Sequence, residues 1–180
     1  AAAISIASTT HAQLPDFALT NFINEPDETG LTSVVNTARD IAVTPDGSRM
    51  VFSSSGNNAA GCVPPFLSSQ GVIFIYDYDE ESGTWILNET IKDCSIKGFG
   101  QQLAISDDGA TILVGSNPAG TFNNGLAWVY REVDGDWVLD EVFDDDSVIL
   151  GQSVDLDSTG NLAVLVAPEQ LGSYFTIQRR

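Results

Sequence analysis

The sequence predicts an all-β fold, a β-propeller-like array of about three four-stranded antiparallel blades, and an internal repeat is the main reason. Residues 99–115 align without gaps on residues 150–166, and residues 38–52 form an earlier copy. Each copy reads as strand, turn, strand, because apolar side chains alternate with small or polar ones on both sides of the turn. A four-stranded unit that recurs about every 50 to 60 residues is typical of a propeller blade.

Turns and tryptophans support the same prediction. Each unit has a turn whose glycine supplies the positive φ that a hairpin needs: Gly47, Gly109 and Gly160. Residues 72–78 match residues 126–132, and each is followed by a strand that begins with tryptophan, Trp85 or Trp137. No stretch has a 3.6-residue apolar period, so we expect almost no helix.

These matches divide the chain into four parts. We predict an N-terminal extension over residues 1–36, a first blade over 37–98, a second over 99–149 and a partial third over 150–180. The third blade lacks a fourth strand, for which residues 17–25 are a candidate because they align on Trp85–Asp93 and Trp137–Asp145. Three blades are too few to close a propeller and leave strand edges unpaired.

Two interpretations follow from that count. The chain is part of a longer propeller, or its N-terminal strand completes the third blade of another copy by strand addition, with a compact monomer as the remaining alternative. Exchange of that kind closes a six-bladed dimer or continues as a head-to-tail polymer. The residues predicted to contact the partner are Phe17, Leu19 and Phe22 in the candidate donor strand, and Pro64, Pro65 and Phe66 in the longest loop, residues 56–71.

Several segments resemble FG-GAP repeats, the blades of the integrin α-subunit head and of many surface proteins. They are Phe99-Gly100 at the start of a blade, Ile112–Gly115 in its second strand, and Val164–Pro168. The resemblance covers residues 37–178 and implies a propeller with an adhesive, ligand-binding or structural role outside the cell. In that family calcium is often held between the first two strands by an Asp-x-Asp-x-Asp-Gly pattern. The three turns here are too short for that, so family-type calcium sites are not expected.

Charge excludes several classes of partner. The 180 residues contain 7 Lys plus Arg against 25 Asp plus Glu, a formal charge of −18. Such a chain repels phosphates and anionic lipid headgroups, so neither nucleic acid nor membrane insertion is expected. Cations and basic surfaces are compatible with it. With 43% hydrophobic residues the chain can nevertheless build a core.

Cysteines and a sequon point to secretion. Cys62 and Cys94 fall in loops on the same side of a blade, where a disulfide is geometrically reasonable, and two free thiols are the alternative. Asn88 begins the glycosylation sequon Asn88-Glu89-Thr90 on an outer strand. Residues 1–12 resemble the end of a secretory leader, with an additional edge strand as the alternative.

Other candidate sites have simple alternatives. Solvated turns and loops are the favoured explanation of the acidic stretches at residues 77–81, 140–141 and 144–146. The alternative is that the adjacent carboxylates of Asp144, Asp145 and Asp146 converge on calcium. Matching aromatic positions in successive blades favour packing between blades over a sugar-binding platform. No catalytic triad or phosphate-binding loop is present in the sequence, so we expect no enzyme and no cofactor.

Together these observations predict a secreted or cell-surface structural or adhesive module that self-assembles through its open blade edges as a filament, a ring or a larger propeller. The alternative is an extracellular propeller that recognises carbohydrate or protein through its loop face, with or without the help of calcium.

Overall fold

Eleven strands and no helix make up the described part of the chain, as the sequence predicts. This computed structural model describes residues 37–54, 71–93, 98–116, 125–144, 150–169 and 172–179, with side chains between residues 39 and 167 of those ranges. The strands are β1 (Thr37–Val43), β2 (Arg49–Ser54), β3 (Val72–Asp79), β4 (Thr84–Lys92), β5 (Phe99–Ile105), β6 (Thr111–Ser116), β7 (Leu126–Val133), β8 (Asp136–Asp144), β9 (Ser153–Leu156), β10 (Leu162–Glu169) and β11 (Gly172–Arg179).

The strands form three antiparallel sheets in chain order. We call β1–β4 blade 1, β5–β8 blade 2 and β9–β11 blade 3. The first two blades are four-stranded meanders, and blade 3 has three strands among the described residues. The chain therefore folds as part of a β-propeller. The candidate fourth strand, residues 17–25, lies outside the described residues. No helix in the described ranges is long and apolar enough to cross a membrane.

The turns between the first two strands of each blade have the predicted backbone. Gly47, Gly109 and Gly160 have φ values of 73°, 73° and 66°. In each turn the glycine amide donates to the carbonyl three residues earlier, at 2.9, 2.9 and 3.0 Å. Only glycine adopts this left-handed conformation at little cost, which explains why the three repeats share it.

Blades 1 and 2 also share an irregularity in their outer strands. In blade 1 the register between β3 and β4 changes after Ile75, so Asn88 is an extra residue in β4. In blade 2 the register between β7 and β8 changes after Val129, so Asp140 is the extra residue in β8. A bulge increases the twist of an edge strand and re-aims a side chain.

Candidate functional site

Consecutive blades pack face to face, and these faces are the surfaces on which a functional interpretation depends. Val51, Ile73 and Ile75 of blade 1 are completely buried in a cluster shared with blade 2. The blade 2 members of that cluster are Phe99, Leu103, Ile112, Val114, Trp128 and Tyr130. We call the side of a blade that packs on the preceding blade its leading face, and the opposite side its trailing face.

The interface between blades 2 and 3 repeats this arrangement. Leu113 and Val129 lie on the trailing face of blade 2 and pack with Leu165 of blade 3, which is also completely buried. Val154 and Leu156 of β9 are partly buried against the same cluster. Each blade boundary therefore buries apolar side chains from both sheets, which is the dominant favourable contribution to such an interface.

The Phe99-Gly100 pair explains how β5 approaches blade 1 so closely. Phe99 is fully buried, and its ring lies 5.0 Å from that of Trp128 and 6.4 Å from that of Tyr130, in edge-to-face contacts. Gly100 has φ +80°, and a Cβ there would lie 2.9 Å from the Cβ of Ser53 in blade 1. A phenylalanine anchor and a glycine at the contact point are thus both required by the packing.

The aromatic residues of blade 2 belong to an interface between blades. Trp128 and Tyr130 are 2% and 8% exposed and lie in the cluster shared with blade 1, and Trp137 packs against that cluster. Burial, which would strip the phenolate of solvation, and then the negative charge of Asp93 together raise the pKa of Tyr130 to about 12. The predicted packing role is confirmed for these three residues.

The leading face of blade 1 differs from those of blades 2 and 3. Ile41 and Val43 in β1 are 55% and 48% exposed. The residues at the same repeat positions pack in the interfaces: Leu103 and Ile105 in blade 2, Val154 and Leu156 in blade 3. Five other apolar residues of this face form a buried cluster whose described members belong to blade 1: Met50, Phe52, Val72, Phe74 and Tyr76. An apolar strip at β1 thus remains exposed.

The trailing face of blade 3 is also less buried than its counterparts. Val164 in β10 is half-buried, whereas Val51 and Leu113, at the same repeat positions in blades 1 and 2, are completely buried. The two ends of the described array therefore carry apolar surface of complementary kinds, a leading face at one end and a trailing face at the other.

Arg49 connects blades 1 and 2 through polar contacts. Its Nε donates to Oδ1 of Asp77 at 2.6 Å, its Nη1 donates to the carbonyl of Gly109 at 3.0 Å, and its guanidinium also pairs with Glu132 of blade 2. The guanidinium lies 5.4 Å from the ring centroid of Trp137. Hydrogen bonds to the carboxylate of Asp77, and then to that of Glu132, raise the pKa of Arg49.

Arg131 makes the corresponding connection between blades 2 and 3. Its Nη2 donates to the carbonyl of Gly160 at 2.9 Å, and its Nη1 donates to Oγ1 of Thr111 at 2.9 Å. Its Nε donates to Oδ2 of Asp140, the extra residue of the β8 bulge, at 2.8 Å. Each boundary thus has one arginine that reaches the glycine turn of the following blade.

Asp40 adds a third polar contact between blades 1 and 2. Its Oδ2 accepts a hydrogen bond from the backbone amide of Leu103 at 2.7 Å, while its Oδ1 accepts one from the amide of Ile41 at 3.0 Å. The carboxylate therefore ties the innermost strands β1 and β5 together, where charge-assisted bonds are stronger than neutral ones.

Two of the site residues predicted from sequence fall within the described residues. Asn88 is exposed in the β4 bulge, and its Nδ2 donates to Oδ2 of Asp77 at 2.6 Å. Asp144 is exposed at the end of β8. In the described ranges no three His, Cys, Asp or Glu side chains are grouped as a metal site requires. The remaining predicted residues lie outside them: Phe17, Leu19, Phe22, Cys62, Pro64, Pro65, Phe66, Cys94, Asp145 and Asp146.

Sequence reasoning missed the residues that connect the blades. Asp77 and Asp140 belong to acidic stretches for which the sequence predicts solvated turns or cation ligands, yet each pairs with an arginine. The sequence carries only a weak signal for them, because the chain has five arginines against 25 acidic residues and the exposed Arg39 lies in a strand just as Arg49 and Arg131 do. Location in a strand therefore does not identify the arginines that pair.

Comparison with solved structures concerns the fold alone at these identities. The β-propeller domain of Cps50 (Swd1) from Myceliophteria thermophila is 13% identical over 78% of this chain and 39% of that one, with a TM-score of 0.49. TolB from Acinetobacter baumannii is 14% identical over 77% and 31%, with a TM-score of 0.42. The chain spans less than half the length of either. No family model matches it, and neither does any curated protein.

Proposed function

We propose that this chain is a structural interaction module of the FG-GAP type, with no catalytic role, that associates head to tail with further copies of itself. In this assembly the leading face of blade 1 packs on the trailing face of blade 3 of another copy. The assembly is heterologous, so it either closes into a ring or continues as a filament.

The exposure of Ile41 and Val43 is the observation that carries the proposal. Their repeat equivalents in blades 2 and 3 pack against the preceding blade, whereas these two side chains are 55% and 48% exposed. A surface built for packing on a blade is best matched by another blade. The half-buried Val164 gives the same chain a trailing face of the type that receives it.

Strand pairing supports the same arrangement. β11 pairs with β10 and is the last strand of the described three-stranded sheet, while β4 and β8 occupy the fourth position in blades 1 and 2. A fourth strand supplied by residues 17–25 of another copy would be followed directly by blade 1 of that copy. Strand addition and face packing are therefore two parts of one head-to-tail contact.

An extracellular location belongs to this proposal. Asn88 is exposed in the outer strand β4, as a glycan acceptor must be. Cys62 and Cys94 fit an oxidising compartment if they form a disulfide.

The mass of the purified chain in solution tests the assembly. We expect species at multiples of 19.2 kDa that increase with concentration in sedimentation velocity. The double variant Ile41→Asp/Val43→Asp should remain a monomer with unchanged β-sheet circular dichroism, because charges on a packing face oppose its burial. The variant Phe17→Asp/Phe22→Asp should have the same effect through the donor strand.

A matched control uses apolar residues of similar exposure on outer strands. Ile86 and Val138 are 52% and 47% exposed on β4 and β8. The variant Ile86→Asp/Val138→Asp should assemble as the unmodified chain does. A chain that stays at 19.2 kDa at every concentration would refute the proposal.

Glycosylation tests the location separately. After expression through a eukaryotic secretory pathway, the chain should lose mass on treatment with an N-glycosidase, and the variant Asn88→Gln should not. Non-reducing peptide mapping of the same material should find Cys62 linked to Cys94. Secreted chain without a glycan and with two alkylatable thiols would argue against an extracellular role.

A further inference from the structure

Arginine contacts at the two blade boundaries follow one rule. Arg49 of blade 1 donates to the carbonyl of Gly109 in blade 2, and Arg131 of blade 2 donates to the carbonyl of Gly160 in blade 3. In both cases the acceptor is the glycine that closes the first turn of the following blade. The guanidinium of one blade thus binds the turn of the next.

The arginine always comes from the same pair of facing positions. Arg49 of β2 lies opposite Asp77 of β3, and Thr111 of β6 lies opposite Arg131 of β7. In blade 3 the corresponding pair is Leu162 of β10 and Arg179 of β11. Each blade therefore has one arginine at this pair, and the register places Arg179 at the trailing end of the array.

The turn of blade 1 lacks such a contact among the described residues. A Cβ on Gly109 would lie 3.2 Å from Thr44 and 3.3 Å from Arg49, and one on Gly160 would lie 2.5 Å from Thr111, because the preceding blade packs there. A Cβ on Gly47 would have nothing within 4 Å. Because each arginine reaches the turn of the following blade, the first turn, at Gly47, and the last arginine, Arg179, lie at opposite ends of the described array.

In blade 2, two residues besides Gly109 contact Arg49. The equivalent positions of blade 1 carry two aromatic rings. Glu132, which pairs with Arg49, faces Trp137 across β7 and β8, and the ring of Trp137 lies under the guanidinium. The equivalent pair in blade 1 is Tyr78 and Trp85.

These rings remain partly accessible. Tyr78 is 38% exposed and Trp85 half-buried, with ring centroids 5.2 Å apart at 62°. The amide of Tyr78 donates to the carbonyl of Ser48 at 2.8 Å, which fixes the rings next to the turn. A cation is attracted to the faces of such rings.

We propose that Gly47, Tyr78 and Trp85 form an arginine-binding site on blade 1, and that Arg179 of a second copy occupies it. This inference rests on the head-to-tail assembly proposed above and names the polar contact within it. Copies that each carry a formal charge of −18 repel one another, so a cation placed at the contact favours the correct alignment.

A double-mutant cycle on the full chain tests the contact. Arg179→Met and Trp85→Leu should each weaken self-association in sedimentation by about tenfold, since both remove the guanidinium–ring contact. The two changes combined should weaken it no more than either alone. Arg179→Lys should give an intermediate loss, because it keeps the charge without the planar fork.

Neighbouring residues provide the controls. Arg180→Met removes the same charge and Ile86→Ala alters the residue after Trp85, and both should change association by less than about twofold. Thermal unfolding of each variant, followed by circular dichroism, should match the unmodified chain. Additive losses in the cycle, or equal effects of Arg179→Met and Arg180→Met, would overturn the inference.

Cross-linking locates the partner directly. A benzophenone amino acid at position 179, in a chain mixed with isotopically heavy copies, should attach to heavy peptides containing residues 44–49 or 78–85. Attachment confined to other regions would contradict the site. If the chain assembles and Ile41→Asp/Val43→Asp disrupts the assembly while Arg179→Met does not, this inference fails and the proposed function stands. If the unmodified chain is a monomer, both the head-to-tail assembly and the arginine-binding site are refuted.

Discussion

Arg49 of blade 1 donates a hydrogen bond of 3.0 Å to the carbonyl of Gly109 in blade 2, although 60 residues separate them in the chain. The same guanidinium is held by Asp77 of its own blade and by Glu132 of the next. Its side chain is only 14% exposed. One cation thus neutralises two carboxylates that would otherwise face each other across a blade boundary.

Replacing this arginine should loosen the boundary. Arg49→Met leaves Asp77 and Glu132 close together without a counterion, so we expect a loss of about 2 to 3 kcal/mol in the free energy of unfolding, between the values for exposed and buried ion pairs. Urea unfolding measures it. Arg39→Met makes the same charge change at an exposed position and should cost under about 0.5 kcal/mol. Equal losses would mean that the bridge contributes nothing.

Much of the fold could be predicted because its signals are local. Alternating apolar residues define the strands on both sides of Gly47, Gly109 and Gly160, and the positive φ at each glycine restricts the residue to one type. Because the same strand–turn–strand pattern occurs three times, each copy supports the assignment of the other two.

Matching aromatic positions predicted that the blades pack on each other, but the polar contacts between blades could not be predicted, because they join residues that no local pattern links. Asp40 accepts from the amide of Leu103, 63 residues away, and Arg49 pairs with Glu132, 83 residues away. The exposure of Ile41 could not be predicted either, because the sequence around it resembles the sequence around the buried Leu103. Only the position of a blade in the array distinguishes the two.

Gly100 should tolerate no side chain. Gly100→Ala must adopt φ +80° and place its Cβ 2.9 Å from Ser53 and 3.2 Å from Ile73 in the neighbouring blade. We expect a loss of about 3 kcal/mol from backbone strain and overpacking together.

The turn between β7 and β8 offers a control for strain alone. Gly135 has φ +91°, and a Cβ there would have nothing within 4 Å, so Gly135→Ala should cost only about 1 kcal/mol. Denaturant midpoints of the two variants separate the contributions. Equal midpoints would show that the space between β5 and blade 1 accommodates a Cβ at position 100.

Phe99 should be the main apolar anchor between blades 1 and 2. It is completely buried and contacts the rings of Trp128 and Tyr130. Phe99→Ala should lower the free energy of unfolding by about 3 to 5 kcal/mol and separate the unfolding of blade 1 from that of blade 2 in hydrogen exchange. Tyr78→Ala, at a 38% exposed ring, should cost far less. A Phe99→Ala chain that unfolds in one step with little loss would contradict this assignment.

Acid should destabilise the first turn of blade 1 through Asp46. Its carboxylate accepts hydrogen bonds from Oγ1 of Thr44 at 2.7 Å and from the amide and Oγ of Ser48 at 3.0 and 2.8 Å. The hydroxyl of Thr44, followed by the groups of Ser48, lowers the pKa of Asp46 from 3.8 to about 2. Because the folded pKa lies below the unfolded one, this contribution is fully present above about pH 4 and is lost as the pH falls through about 2.

Comparison with Asp46→Asn isolates that contribution from the general effect of titrating 25 acidic residues. The unmodified chain should have the higher urea midpoint at neutral pH, since an amide accepts weaker hydrogen bonds than a carboxylate. The difference should shrink below pH 4 and disappear only once the pH lies well below 2, where the Asp46 carboxyl is protonated in the folded chain as well. The exposed Asp136→Asn removes one negative charge elsewhere on the surface and controls for that change alone. A difference for Asp46→Asn that is as large at about pH 2 as at about pH 7 would show that the turn does not depend on the ionised carboxylate.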